Sequence, residues 1–149
     1  MNDGKLMNLD IRSINDEDID IIYGLTIDLV EEYEDLASID YPKVRKWLRN
    51  KIISCQNEYR AIYCQDRKVG YFHLSSSEGM QELDDFHILK KYQGKGIGTA
   101  LIKDITGKYP AVFLYVFKKN TRAIALYERL GFRITREYRT RLIMEYHGK

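Results

Sequence analysis

Gln93-Gly94-Lys95-Gly96-Ile97-Gly98-Thr99 stands at the centre of the chain, after a strand-like segment (83–89) and before a helix-like one (100–105). Amide groups at a helix start have no partner inside the helix, and the helix dipole adds roughly half a positive charge there. Glycines let such a backbone approach a ligand closely, so the run reads as a cradle for a phosphorylated group. A phosphate loop of the G-x-x-x-x-G-K-[ST] type is absent, since no glycine pair leads into Lys-Ser or Lys-Thr. The dinucleotide fingerprint is also a poor fit. Its spacing is G-x-G-x-x-G at the first strand–helix turn, whereas these glycines fall at 94, 96 and 98, far along the chain. Taken alone, the run also reads as an ordinary strand–helix turn.

Outward from the run, the periodicities give the order β-α-α-β-β-β-α-β-α-β-β. Residues 6–14 alternate as a first strand. Ser13 or Asn15 caps a helix carrying Ile19, Ile22, Tyr23, Thr26, Leu29 and Val30, and a second helix starts near Pro42. Strands at 59–64 and 69–75 are joined through residues 65–68, with a polar turn over 75–79 and a third strand from Glu82. The helix from Ile97 ends near Gly107. Residues 111–117 form a continuous apolar run, expected to be a strand buried on both faces. Asn120 caps a last helix ending at Gly131, before a closing hairpin over 132–146. The central β-α-β unit is expected to be parallel and right-handed. The fold class is therefore α/β (α+β), with a mixed sheet and flanking helices, in one domain over 1–149.

Composition narrows the function. The chain is 44% hydrophobic and 31% charged with net charge +2, which fits a soluble globular protein and argues against a nucleic-acid binder. The arginines at 133, 136, 139 and 141 have no aromatic stacking motif beside them. The two cysteines, Cys55 and Cys64, have no partners at metal-ligand spacing, so neither a disulfide framework nor a metal is expected. No signal peptide or membrane span is read, and a cytoplasmic location is expected.

A second motif, Asn120-x-x-Ala123-x-x-x-Tyr127-x-x-x-Gly131-Phe132, follows the apolar strand. With Gln93-x-x-Gly96-x-Gly98 it resembles the GNAT superfamily of acetyl-CoA-dependent N-acetyltransferases, whose order of elements matches nearly the whole chain. The resemblance implies a centrally splayed sheet and acetyl-CoA as the acetyl donor. Its pyrophosphate is expected on Gln93, Gly94, Lys95, Gly96, Ile97, Gly98 and Thr99. The pantetheine arm is expected along Phe86, His87 and Ile88, with Asn120 and Tyr127 also at the cofactor. The Ile88 amide would polarise the acetyl carbonyl, a kind of donor worth ~3 kcal/mol.

The resemblance further implies direct attack by a primary amine. An ammonium of pKa near ~10.4 must first lose a proton, so a base is needed. Tyr127 is the candidate acid for the leaving thiolate. Glu82 and Asp84 are the candidate bases. Glu82 lies eleven positions before Gln93, and Leu83-Asp84-Asp85-Phe86 resembles the Leu-Glu-Asp-Phe run of spermidine/spermine N-acetyltransferases. In that comparison Asp85 contacts the substrate amine. Strand alternation puts Glu82 and Asp84 on one face and Asp85 on the other unless a bulge intervenes. The acidic segment 31–35, with Glu32 and Tyr33, is expected to border the acceptor site and favour a cationic small molecule. Protein N-terminal or lysine acetylation and a non-catalytic acyl-CoA sensor are the alternatives. The resemblance also allows a homodimer.

Overall fold

The structure, a computed structural model, describes residues 8–148. The first two residues of the expected opening strand, and most of the segment read for a signal peptide, lie outside the described residues. Strand β1 (Leu9–Ser13) leads into α1 (Asp16–Tyr33) and α2 (Tyr41–Ser54). Strands β2 (Tyr59–Cys64), β3 (Arg67–Ser77) and β4 (Met80–Ile88) follow, then α3 (Ile97–Lys108), β5 (Ala111–Phe117), α4 (Thr121–Arg129), β6 (Arg133–Glu137) and β7 (Arg141–His147). The seven-stranded sheet has the order β1-β2-β3-β4-β5-β7-β6. Among the described residues only β4 and β5 pair in parallel, as expected for the strands joined through α3.

Local chemistry sets the helix starts. Asn15 caps α1 by accepting from the Asp18 amide at 3.2 Å, while Asp18 accepts from the Asn15 amide at 2.9 Å. This reciprocal pair satisfies two otherwise orphaned donors. Asp40 caps α2, with Pro42 in the first turn. At α4 the Asn120 side chain accepts from the Ala123 amide at 3.2 Å. We expect Asn120→Ala to lower stability by about 1 kcal/mol in a urea titration; an unchanged midpoint would mean that this cap contributes nothing.

The β2–β3 and β3–β4 hairpins are tighter than the sequence suggests. Cys64 pairs with Arg67 and Ser77 with Met80, so each turn has only two central residues. Gln65 and Asp66, then Glu78 and Gly79, all adopt positive φ, the conformation that suits the right-handed twist of paired strands.

Apolar residues form two cores, one on each face of the sheet. Ile19 and Ile22 of α1 and Ile52 of α2 cover Tyr59, Ala61 and Tyr71. Ile97, Leu101, Ile102 and Ile105 of α3 pack with Leu83, Val112, Leu114, Tyr127 and Phe132. The expectation that β5 is buried on both faces is corrected. Val112, Leu114 and Val116 are buried, but Tyr115, on the opposite face, is 42% exposed. That face borders a cleft instead of a helix.

Candidate active site

The cleft arises from two irregularities in β4. Parallel pairing with β5 is confined to Gln81 with Val112 and Glu82 with Phe113. Beyond Glu82 the two strands separate. In the same stretch the register against β3 shifts, so that Asp85 and Phe86 together oppose Phe72. Asp85 takes φ +44, and this is a bulge.

The bulge changes which side chains share a face. Simple alternation would part Asp85 from Asp84. Instead Asp84 and Asp85 both turn toward α1 and α2, where both meet Lys51. Phe86 and Ile88 turn the other way, against Gly98 at the start of α3.

Past the bulge the Leu89 amide donates to the Val69 carbonyl at 2.8 Å. Bonded pairs alternate along an antiparallel ladder, so Tyr71 with His87 is the next bonded pair. The Ile88 amide and carbonyl between them therefore face the opening toward β5. The Ile88 carbonyl there accepts from Gln93 Nε2 at 2.9 Å. The backbone of His87 belongs to the β3 ladder. Its side chain is buried, with Nε2 3.1 Å from the Thr26 hydroxyl. Thr26 donates to Asp85 at 3.2 Å, so His87 must donate to Thr26 and carries its proton on Nε2. Burial lowers the pKa of His87, outweighing the nearby Asp85 and Asp84.

At the far end of the gap the glycine run leads into α3. Gly94 and Gly96 take φ +77 and +86, values that favour glycine. Gly96 is the cap position, with no side-chain cap, and the first helical bond runs from the Ala100 amide to its carbonyl. The amides of Ile97, Gly98 and Thr99 precede that bond, as an anion cradle requires. Cradle and open strand edge together fit the pyrophosphate and the amide-bearing arm of coenzyme A.

Tyr127 enters from α4 and is buried. The end of its helix explains the Gly131-Phe132 half of the motif. Gly131 takes φ +98, its amide donates to the Glu128 carbonyl and the Phe132 amide donates to the Tyr127 carbonyl at 3.0 Å. This closure brings the Phe132 ring to 5.6 Å from the Tyr127 ring and fixes the tyrosine. Burial, and then the charge of Asp84, raise the Tyr127 pKa, so its phenol keeps its proton.

The cleft has a volume of about 1030 Å³. Its walls include Glu82, Asp84, Asp85, Ile88, Gln93, Asn120 and Tyr127, and on the helical side Asp28, Glu32, Glu34, Trp47 and Lys51. Gly94, Lys95, Ile97 and Thr99 belong to the neighbouring loop and helix start. Tyr33 packs near Phe117, with ring centroids 6.1 Å apart, and is not among the wall residues.

The carboxylates differ in character. Burial pushes Asp84 upward, but His73 and the Lys51 ammonium outweigh it and hold its pKa well below the ordinary range. Lys51 is only 17% exposed in its side chain. Burial favours its neutral form, yet Asp85 and Asp84 keep it charged. Glu82 shifts the other way. Burial raises its pKa and the charge of Asp84 adds to this, with Lys51 and His73 opposing.

Several groups at this site carry no sequence signal. Lys51 lies on an irregularly polar helix, and Tyr59, which donates to Asp85, and Thr26 fall in ordinary apolar patterns. Only the fold brings them to β4. His73 was singled out by no motif, yet it faces Asp84 across the β3–β4 ladder.

A model of the Acetyltransferase (GNAT) family matches residues 25–132, and the chain belongs to that family. Over 68 residues it is 35% identical to the spermine/spermidine N(1)-acetyltransferase of Bacillus subtilis, covering 42% of this chain and 45% of that protein. Over 104 residues it is 27% identical to the peptidyl-lysine N-acetyltransferase YjaB of Salmonella typhimurium, covering 70% of this chain and 61% of that protein. The matched stretches span 38% to 61% of the lengths of the curated relatives.

Among solved structures, the PaiA N-acetyltransferase of Thermoplasma acidophilum in complex with coenzyme A superposes with a TM-score of 0.67 at 19% identity, over 95% of this chain and 99% of that one. The ribosomal-protein-S18-alanine N-acetyltransferase of Escherichia coli gives 0.65 at 20% identity, over 94% of each. These likenesses establish the fold. Among the described residues, no helix is long and apolar enough to cross a membrane.

Proposed function

We propose that this chain is an N-acetyltransferase that moves an acetyl group from acetyl-CoA to a primary amine of a small cationic molecule. The supporting observation is the cleft between β4 and β5, with unpaired helix amides at one end and carboxylates on the opposite wall. Acetyl-CoA supplies the acetyl group as a thioester, which the acceptor nitrogen takes while the sulfur leaves. The amides of Ile97, Gly98 and Thr99 hold the pyrophosphate. The Ile88 amide faces the gap and holds the acetyl oxygen, where negative charge develops.

The acceptor arrives as an ammonium and must lose a proton before its nitrogen can attack. Glu82 takes that proton, directly or through a water. Its raised pKa makes it a stronger base than Asp84, whose ion pair with Lys51 holds it ionised and weakly basic. Asp84 and Asp85 instead hold positive charge, as they already do with Lys51, and Glu32 and Glu34 extend the negative wall. Tyr127 donates to the departing sulfur.

This reading carries a single domain and a cytoplasmic location, the latter supported by two free cysteines. A lysine side chain as acceptor is the second reading, favoured by the likeness to the peptidyl-lysine enzyme.

A panel of monoamines, linear diamines and lysine peptides, assayed with acetyl-CoA by thiol release, tests the proposal. Diamines are expected to turn over fastest. If none of the amines releases thiol while coenzyme A still binds, the chain is a sensor. Tyr127→Phe is expected to lower kcat roughly 10²-fold and to leave acetyl-CoA affinity nearly unchanged by calorimetry. Wild-type turnover with every accepted amine would remove Tyr127 from the acid role.

A further inference from the structure

Cys55, Glu58 and His73 converge behind the cleft wall, and none of the three lines the cleft itself. Cys55 closes α2, Glu58 ends the 3-10 turn Gln56–Glu58, and His73 comes from the middle of β3. A sulfur, a carboxylate oxygen and an imidazole nitrogen there all lie within 4.8 Å of one another. Sequence spacing carries no hint of this, because β3 returns His73 to the end of α2 only in the folded chain.

His73 is 5% exposed, and its ring lies flat on Tyr59 with centroids 4.4 Å apart and 6° between the planes. The ring is thereby fixed between two acids. Nε2 is 2.8 Å from Glu58, and Nδ1 points toward Asp84 at 3.9 Å without a hydrogen-bond partner among the described residues. A neutral imidazole has one N–H and one lone pair. Between two carboxylates, a neutral ring sets acceptor against acceptor on one side. Burial favours that neutral form, but Asp84 and Glu58 outweigh it, raise the His73 pKa and favour a second ring proton. A buried unpartnered nitrogen of this kind calls for an explanation.

A divalent cation on the Nε2 side, taking the place of that second proton, resolves the conflict equally. Nε2 then gives its lone pair to the ion, Glu58 becomes a second ligand, and the ring proton sits on Nδ1 facing Asp84. Histidine ligands commonly direct their second nitrogen at a carboxylate in this way. The Cys55 sulfur selects the class of ion, because thiolate with imidazole and carboxylate suits zinc and its neighbours, whereas magnesium and calcium prefer oxygen alone. The Glu58 side chain is 50% exposed, so an ion can enter from solvent.

We propose that Cys55, Glu58 and His73 form a binding site for a zinc-class divalent cation, with the fourth position open to water. Cobalt(II) tests this directly, using the whole chain stripped with a chelator and kept reduced. Cys64→Ser leaves Cys55 as the sole thiol. This variant is expected to bind one cobalt per chain with a thiolate-to-metal charge-transfer band that zinc abolishes on competition. Cys55→Ser is expected to lose the band, and Glu58→Gln to weaken cobalt binding by about tenfold or more. Circular dichroism checks that each variant is folded. The absence of the band in folded Cys64→Ser protein overturns the site, as does its persistence in Cys55→Ser. These readouts do not depend on acetyl transfer.

Discussion

Glu82→Gln lowers kcat at saturating acceptor by roughly 10²–10⁴-fold, the range for losing a positioned base. Glu82 stands at the last position of β4 that pairs with β5, opposite Phe113, where the cleft begins. Its pKa lies above the ordinary glutamate value, first through burial and then through Asp84. Below that pKa the side chain carries a proton and accepts no second one; above it, the carboxylate is free to act. The wild-type rate should therefore rise with pH through this raised pKa, and the Gln variant should lack that limb. Asp84→Asn should keep the limb and weaken acceptor binding, since Asp84 is already ionised by its partners His73 and Lys51. If the limb survives in Glu82→Gln and disappears in Asp84→Asn, Asp84 is the base.

The largest effect on stability is expected from Gly70→Ala. A Cβ at Gly70 would stand 2.2 Å from the His87 carbonyl oxygen and 3.2 Å from the Ile88 Cα. Both are backbone atoms, so no rotamer change relieves the clash and the β3–β4 ladder must part. Overpacking of this kind costs about 3 kcal/mol. Because Gly70 stands directly opposite Ile88, kcat should fall as well. Gly24→Ala is the control. Gly24 lies within α1, and a Cβ added there would meet nothing within 4 Å, so this change should raise stability by up to about 1 kcal/mol. A urea midpoint for Gly70→Ala equal to that of the wild type would show that the two strands do not approach so closely.

Much of the architecture was legible because it rests on local signals. Helical spacing of Ile19, Ile22, Thr26 and Val30, caps at Asn15 and Asn120, and glycines at 96 and 131 mark elements that form where they were expected. The hairpin turns were less legible, since Gln65 is not a residue usually favoured at positive φ and no glycine marks that turn. The apolar run of β5 could not disclose that one of its faces borders a cleft. At the site, the motifs pointed to the glycine loop, Asn120 and Tyr127 through local chemistry. The joint orientation of Asp84 and Asp85 depends on a bulge that alternation alone does not predict. Lys51 and Tyr59 reach those acids from separate elements, a convergence that only tertiary packing creates.

The brief pairing of β4 with β5 also has a mechanical meaning. It joins two half-sheets, β1 to β4 and β5 with β7 and β6, along a seam of Gln81–Val112 and Glu82–Phe113. Two plates joined along such a seam move most at the free rim and least at the apex. Any opening motion about that seam would therefore change the width available to a ligand at the rim, near Ile88 and the glycine loop. Glu82 sits at the apex, paired with Ser75 on one side and Phe113 on the other, and would keep its register through such a motion.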